Sequence, residues 1–313
     1  MRRARTLVAF ALWLAAAVPA GAAEYQLVEG LEVIGEPRVI AARYEDTFVK
    51  LAREHNVGYE ALRRANPDVD AWLPGEGTPI IIPSRLVLPR APREGIVVNV
   101  AELRLYYFPD GPSGRVFTYP ISIGRMDWST PLGVTTVTGK VRNPTWYPPE
   151  SIRAEHAERG DPLPRVVPPG PDNPLGKHAL RLGLPGYLIH GTNRPAGVGM
   201  RVTHGCIRMF PEDIEALFAM VPVGTKVRIV NQPYKLGWGD DGLYLEAHPP
   251  LAEQVQKAEW APATELTRVY VAATQTRTVE VAWDVAERVL QEARGLPERV
   301  SIEPLTVSAD PSL

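Results

Sequence analysis

The string Val202-Thr203-His204-Gly205-Cys206-Ile207-Arg208-Met209 holds the one cysteine of this 313-residue chain. A histidine, His190, opens Ile189-His190-Gly191-Thr192-Asn193 just upstream. A thiol near an imidazole offers nucleophile and base together. The thiolate is the attacking species, so a base or a cation must remove or weaken the hold on a proton that ordinary cysteine keeps up to a pKa of about 8.5. His190 and His204 are the candidate bases. Gly191 and Gly205 tolerate strained backbone and close approach of a substrate, and N–H groups around Gly205 and Cys206 are candidates for an oxyanion hole. No acidic residue adjoins His190, so a main-chain carbonyl, that of Gly191, is the expected orienting acceptor for its ring. Arg208 either binds a substrate carboxylate or braces the loop. Two blander readings compete: a lone buried cysteine is usually inert, and Cys206, His190 and His204 are all metal-ligand types. No C-x-x-C or H-E-x-x-H spacing accompanies them, so neither a metal nor another cofactor is expected.

The N-terminus bears on the thiol. Arg2, Arg3 and Arg5, an apolar run from Leu7 to Val18, and small residues Ala20, Gly21, Ala22 and Ala23 read as a targeting segment over residues 1–23, with cleavage near Ala23. The expected location is the periplasm. An exported chain with a single cysteine has no internal disulfide to make, which leaves a free thiol. Nothing later supplies the ~20 apolar residues of a membrane span. Lys+Arg 34 against Asp+Glu 36 gives a net charge of −2, so bulk charge makes no case for nucleic acid or an anionic membrane.

The elements that must hold these residues are mainly strands, as the 32 prolines and 26 glycines suggest. Gly95 to Val100 and Leu103 to Tyr107 are strand-like, with a turn at Asp110-Gly111. Phe117 to Ile123, Gly133 to Arg142, Tyr187 to His190 and Lys226 to Val230 read as further strands. A proline-laden stretch from Pro144 to Pro174, with Trp146 and Tyr147 near its start, is either a cover over a cleft or a rigid surface insertion. After Pro211, Ile214, Leu217, Phe218 and Val221 recur at helical spacing, with Glu212 and Asp213 in the first turn. Upstream, Val39 to Pro83 gives a strand, a helix capped at Glu45-Asp46-Thr47, a second helix ending at Asn66-Pro67, and the strand Ile80 to Pro83. Beyond Pro233, Arg268 to Ala272 reads as a strand. A helix with Ala282, Val285, Ala286, Val289, Leu290 and Ala293 on one face follows, stopped by Gly295 and Pro297.

His190-Gly191-Thr192-Asn193 followed by Thr203-His204-Gly205-Cys206-Ile207-Arg208 resembles the signature of the L,D-transpeptidase catalytic domain (YkuD type), over about Ile96 to Val230. The resemblance implies a β-rich sandwich, Cys206 as nucleophile and His190 as base. It implies supporting roles for Gly191, Thr203, His204 and Gly205, and substrate contacts from Asn193 and Arg208. Thr203 stands where the family usually has serine. Asn143 to Pro149, Pro168 to Gly176 and Val221 to Thr225 resemble the periplasmic ErfK/YbiS/YcfS/YnhG group. Asp46-Thr47, Ala52, Asn66-Pro67 and Ile82-Pro83 resemble a lysin-motif (LysM) domain, a binder of peptidoglycan glycan, although the opening strand departs from the usual pattern. The expected fold is α+β: a targeting segment (1–23), a small βααβ LysM-like domain and linker (24–92), a mainly β catalytic sandwich (93–231) and a small C-terminal α/β extension (232–313). The implied chemistry is acyl transfer from peptidoglycan tetrapeptide stems through a cysteine thioester. The acceptor is the C-terminal lysine of a Braun-type lipoprotein, a second diaminopimelate, or water. A rival class is a wall-binding protein with a decayed catalytic domain; a generic cysteine peptidase is a further enzyme alternative.

Overall fold

The computed structural model describes residues 22–302. The expected targeting segment lies outside the described residues except for Ala22 and Ala23, and Ala23 already opens an edge strand, Ala23–Gln26, paired with Arg115–Pro120. Among the described residues a nine-stranded mixed sheet forms the frame. Its order runs Ala23–Gln26, Arg115–Pro120, Arg104–Phe108, Gly95–Asn99, Lys226–Val230, Gly133–Arg142, His178–Leu182, Leu188–His190 and Ile207–Arg208. No described helix is long and apolar enough to cross a membrane.

The central strands are apolar on both faces because both faces are covered. Ile96, Val98, Leu105 and Tyr107 enter one core with Ile214, Leu217 and Phe218 of the helix Pro211–Met220. Val97, Tyr106 and Phe108, one residue out of phase, enter a second core with Leu27, Ile34 and Leu86. The run Phe117 to Ile123 is broken: Arg115–Pro120 stays in the large sheet, while Ile123–Gly124 pairs in parallel with Arg201–Thr203.

The strand-helix-helix-strand unit is present, as Arg38–Ala41, Phe48–Glu54, Tyr59–Ala65 and Pro79–Ile82, around Phe48, Leu51, Leu62 and Ile80. It is docked against the start of the helix Pro211–Met220 and the loop at Gly199. Arg53 forms a two-pronged pair with Glu212 (2.8 and 3.0 Å), Asn56 Nδ2 donates to Asp213 Oδ1 at 2.8 Å, and the Gly58 and Gly199 backbones touch where a Cβ on Gly199 would lie 2.3 Å from Gly58 Cα.

The C-terminal part corrects one expectation. Arg268 to Ala272 is not a strand but the end of the helix Pro262–Ala273. The β-rich composition of Val269-Tyr270-Val271 misleads there; Leu266, Val269, Tyr270 and Ala273, spaced for a helix, meet the core of this part, and Pro262 starts the first turn. That helix and Trp283–Glu292 pack on the hairpin Tyr234–Trp238 and Leu243–Ala247. A buried charge network ties the hairpin to the frame: Lys235 Nζ pairs with Glu102 and, at 3.0 Å, with Glu246, and donates to the Val87 carbonyl at 2.6 Å, while His248 Nε2 lies 2.6 Å from Glu246 Oε1. Glu102, Glu246 and His248 form a cluster of metal-ligand types in which the Lys235 ammonium supplies the cation.

Candidate active site

Register builds the site. Leu188–His190 pairs in parallel with Ile207–Arg208, matching Ile189 with Ile207 and His190 with Arg208. Ile189 and Ile207 are buried in the core, so period-two alternation turns His190 and Arg208 to the opposite face, with Leu188 and, one step before the strand, Cys206. A one-residue slip would bury Cys206 and His190 in the core. These side chains line a cleft of about 440 Å³ with Trp146, Tyr147, Ile152, Arg181, Tyr187, Thr203 and His204. Its walls carry two arginines and two histidines but no acidic residue.

The cysteine loop is held from below. Thr203 Oγ1 donates to the Cys206 carbonyl at 2.6 Å, and Thr130 Oγ1 donates to the Gly205 carbonyl at 2.8 Å while accepting from Gly124 N. Gly205 has φ +99, and a Cβ there would lie 2.8 Å from Tyr187 Cε1, so conformation and space both require glycine. At Gly191 a Cβ would meet Ile214 Cγ2 at 3.1 Å.

The two histidines separate. His190 is buried, and its Nδ1 lies 2.7 Å from the Gly191 carbonyl, the acceptor anticipated from the sequence. That bond places the proton on Nδ1 and leaves Nε2 as the basic nitrogen. Burial first, and then Arg208, push its pKa down to about 3, against the pull of the Gly191 and Leu175 carbonyls. His204 instead faces Glu155, with Nε2 3.0 Å from Oε2, and its ring meets Trp128 edge-on at 5.2 Å. Burial first, and then Arg125, His156 and Arg159, bring the His204 pKa down to about 4, against the pull of Asp127. A neutral His204 donates its Nε2 proton to Glu155.

The thiol departs from the sequence expectation of a lowered pKa. Burial raises the Cys206 pKa above its ordinary value, although the Leu188 N–H and Arg208 work the other way. The resting pair is a neutral thiol beside a neutral imidazole. Arg208 lines the cleft half-buried, with Nε lacking a hydrogen-bond partner, a donor left over for a ligand. Asn193 is corrected: it is exposed and not part of the cleft wall. Thr192 Oγ1 accepts from Arg194 N at 2.9 Å, starting the turn Pro195–Gly197 that carries the chain toward the N-terminal unit.

The proline-rich stretch lies over the cleft, contributing Trp146, Tyr147, Pro149, Ile152 and Pro174 to its wall. It contains an unanticipated helix, Glu150–Glu158. Trp146 and Val167 exchange two backbone hydrogen bonds at 2.9 Å, and buried Asn173 donates to the Pro144 carbonyl at 2.8 Å, closing the base of the segment. From the helix, Glu155 reaches His204 and Arg125, the latter at 2.8 Å, latching the segment to the cysteine loop. Glu155, Arg125, Thr130, Asn173 and Arg181 join the site through contacts that no local sequence pattern announces.

The L,D-transpeptidase catalytic domain (YkuD) family matches residues 93–229. Probable L,D-transpeptidase YcfS of Escherichia coli (strain K12) is 46% identical over 257 residues, 80% of each chain. Probable L,D-transpeptidase YbiS of the same strain is 40% identical over 287 residues, 90% of this chain and 93% of that one. Probable L,D-transpeptidase ErfK/SrfK of Salmonella typhimurium is 40% identical over 282 residues, 87% and 89% of the two chains. With this coverage, and with the cysteine and histidine of the signature facing one cleft, the chain belongs to the L,D-transpeptidase family and is a transpeptidase acting on peptidoglycan.

Proposed function

We propose that the chain is a periplasmic enzyme that takes the acyl group of a peptidoglycan tetrapeptide stem onto Cys206 and passes it to the terminal lysine of a Braun-type lipoprotein. One observation carries this reading: the register sets Cys206 and His190 on the same face of neighbouring strands, over a cleft whose charged walls are cationic throughout. A stem peptide rich in carboxylates suits such walls. The lipoprotein acceptor and the location follow from the likeness to the ErfK/YbiS/YcfS/YnhG group.

Attack begins with transfer of the thiol proton to His190 Nε2 as Sγ bonds to the carbonyl carbon between diaminopimelate and the terminal D-alanine. Because the pair rests uncharged, the proton moves as the bond forms. N–H groups around Gly205 and Cys206 receive the oxyanion. Collapse breaks the C–N bond, and the His190 proton leaves with the amine of D-alanine. The acceptor amine then attacks the thioester, gives a proton to His190, and expels the thiolate, which recovers that proton. Arg208, in the row of His190, binds the carboxylate of the departing residue. The docked N-terminal unit holds a glycan strand beside the cleft, with exposed Tyr44 and Trp72 in the two loops that flank its helices as candidate contacts.

The test is mass spectrometry of the protein with disaccharide-tetrapeptide, with and without a lysine-terminated peptide, and with Cys206→Ala as control. A Cys206-dependent adduct lacking D-alanine, discharged by the lysine peptide, is expected. Stem dimers alone would replace the lipoprotein acceptor by diaminopimelate, and hydrolysis alone by water. No adduct with any stem would sink the enzymatic reading.

A further inference from the structure

Arg181 is an exposed arginine in the cleft wall whose guanidinium has no ion-pair partner among the described residues. Its stem lies over Gly139, where a Cβ would sit 3.6 Å from Arg181 Cδ, so the neighbouring strand offers no side chain to compete for the space. Register fixes its relation to the nucleophile. Arg181 pairs with Leu188, and Leu188 stands opposite Cys206 by continuation of the Ile189–Ile207 and His190–Arg208 pairs. Arg181, Leu188 and Cys206 thus form one transverse row on the cleft face, with Arg181 two strands from Cys206, roughly 9.6 Å between backbones.

We propose that Arg181 determines donor specificity by binding the free carboxylate at the far end of the diaminopimelate side chain in the acyl-donating stem. The assignment rests on the function proposed above. That carboxylate carbon lies six bonds from the acyl carbon, roughly 7.5 Å when extended. Laid along the row from Cys206 toward Arg181, it stops about 2 Å short of the Arg181 backbone position. The Arg181 stem leans toward Gly139, on the side away from Cys206, and swinging it back over its own strand carries the guanidinium fork across that gap, where it matches a carboxylate with two parallel hydrogen bonds. Arg208 cannot take the same group while the departing residue occupies it: Arg208 shares the row of His190, where the leaving amine must collect its proton. The two arginines therefore divide the donor between them, one for the departing residue and one for the retained side chain.

The experiment compares two tetrapeptide stems, one with the distal diaminopimelate carboxylate free and one with it as the carboxamide, by steady-state release of D-alanine. Wild type, Arg181→Gln and Arg181→Lys are measured on both. Wild type is expected to prefer the free carboxylate by about tenfold in kcat/KM, mostly through KM, as for a charged hydrogen-bonded pair in partial contact with water. Arg181→Gln should bring the ratio near one, and Arg181→Lys should keep part of it. A wild-type enzyme that processes both stems alike overturns the assignment, and so does an Arg181→Gln variant that keeps the preference. If the glutamine variant does not fold, a lysine variant with the undiminished preference overturns it equally. Turnover without preference removes only the arginine assignment, whereas wild-type failure on both stems removes the proposed function with it.

Discussion

Replacing Thr203 by valine keeps the shape of the side chain and removes one oxygen. In the folded protein that oxygen donates to the Cys206 carbonyl at 2.6 Å from a buried position, while the Thr203 carbonyl accepts from Arg125 N at 3.0 Å. The backbone anchor survives the change, and the link to the nucleophile does not. Leaving a carbonyl without its donor in such a place costs about 1–3 kcal/mol. If that cost is met by rotation of the Cys206 peptide, it appears in the barrier to acylation, about fivefold to 150-fold in rate. The expected result is acyl-enzyme formation slowed by about fivefold or more in Thr203→Val, with Thr203→Ser staying close to wild type because it restores the donor. Single-turnover mass spectrometry of the adduct measures the rate, and thermal unfolding separates it from general loss of structure. Wild-type acylation by Thr203→Val, or equal impairment by the serine variant, would refute the hydroxyl as the device that sets Cys206.

Titration of Cys206 by its ultraviolet thiolate absorbance should show a midpoint above the ordinary thiol value, since burial raises it; a midpoint below about 7 would mean a resting ion pair instead. Asp213 is raised to about 7 by burial, with Glu212 adding to the effect and Asn56, Arg104 and Arg53 opposing it. The folded protein keeps this proton where the unfolded chain releases it, so stability falls as pH rises from about 4 to about 7 and loses no more above that. Asp213→Asn should flatten this slope in chemical denaturation, and an unchanged slope would acquit the residue. Lys235→Met strands Glu102 and Glu246 as buried charges and should cost about 3–5 kcal/mol in the same assay; an unaltered denaturation midpoint would show the network to be dispensable.

What could be read from the chain follows the range of the interactions. Gly133–Arg142 and Lys226–Val230 have the bounds expected of them because β-branched runs and flanking turn residues are local signals. The hairpin Tyr234–Trp238 and Leu243–Ala247 also has a local signal, Gly239-Asp240-Asp241-Gly242 between two apolar runs. Helix Glu150–Glu158 was hidden, since it sits among prolines and buries only Ile152. The signature string points to Cys206, His190 and the Gly191 carbonyl, all within one short stretch or a neighbouring strand. Glu155 and His204 are 49 residues apart and Arg125 and Glu155 are 30 apart, so no local pattern announces their contacts. The raised thiol pKa was equally out of reach, because desolvation depends on the cover as well as on the loop. One practical consequence is that sluggish reaction with a small alkylating agent does not mark a decayed enzyme here; acylation by a stem does.

The contacts that position Cys206 differ in strength according to what each must do. Below the loop, paired strands, the Thr203 and Thr130 hydrogen bonds and the glycine fit at Gly205 are buried and mutually dependent, so moving them means unmaking the sheet edge. Above it, the helix Glu150–Glu158 is held by one buried side chain, the closed base of its segment, and the Glu155 contacts to His204 and Arg125. A partly exposed ion pair such as Glu155–Arg125 is worth about 1 kcal/mol or less, and the hydrogen bond from neutral His204 adds a similar amount. Of the elements around Cys206 the helix is therefore the least costly to displace, and displacing it would leave the register of Cys206 and His190 untouched. The same displacement lets water reach Cys206 and Arg208, which relieves the desolvation that raises the thiol pKa.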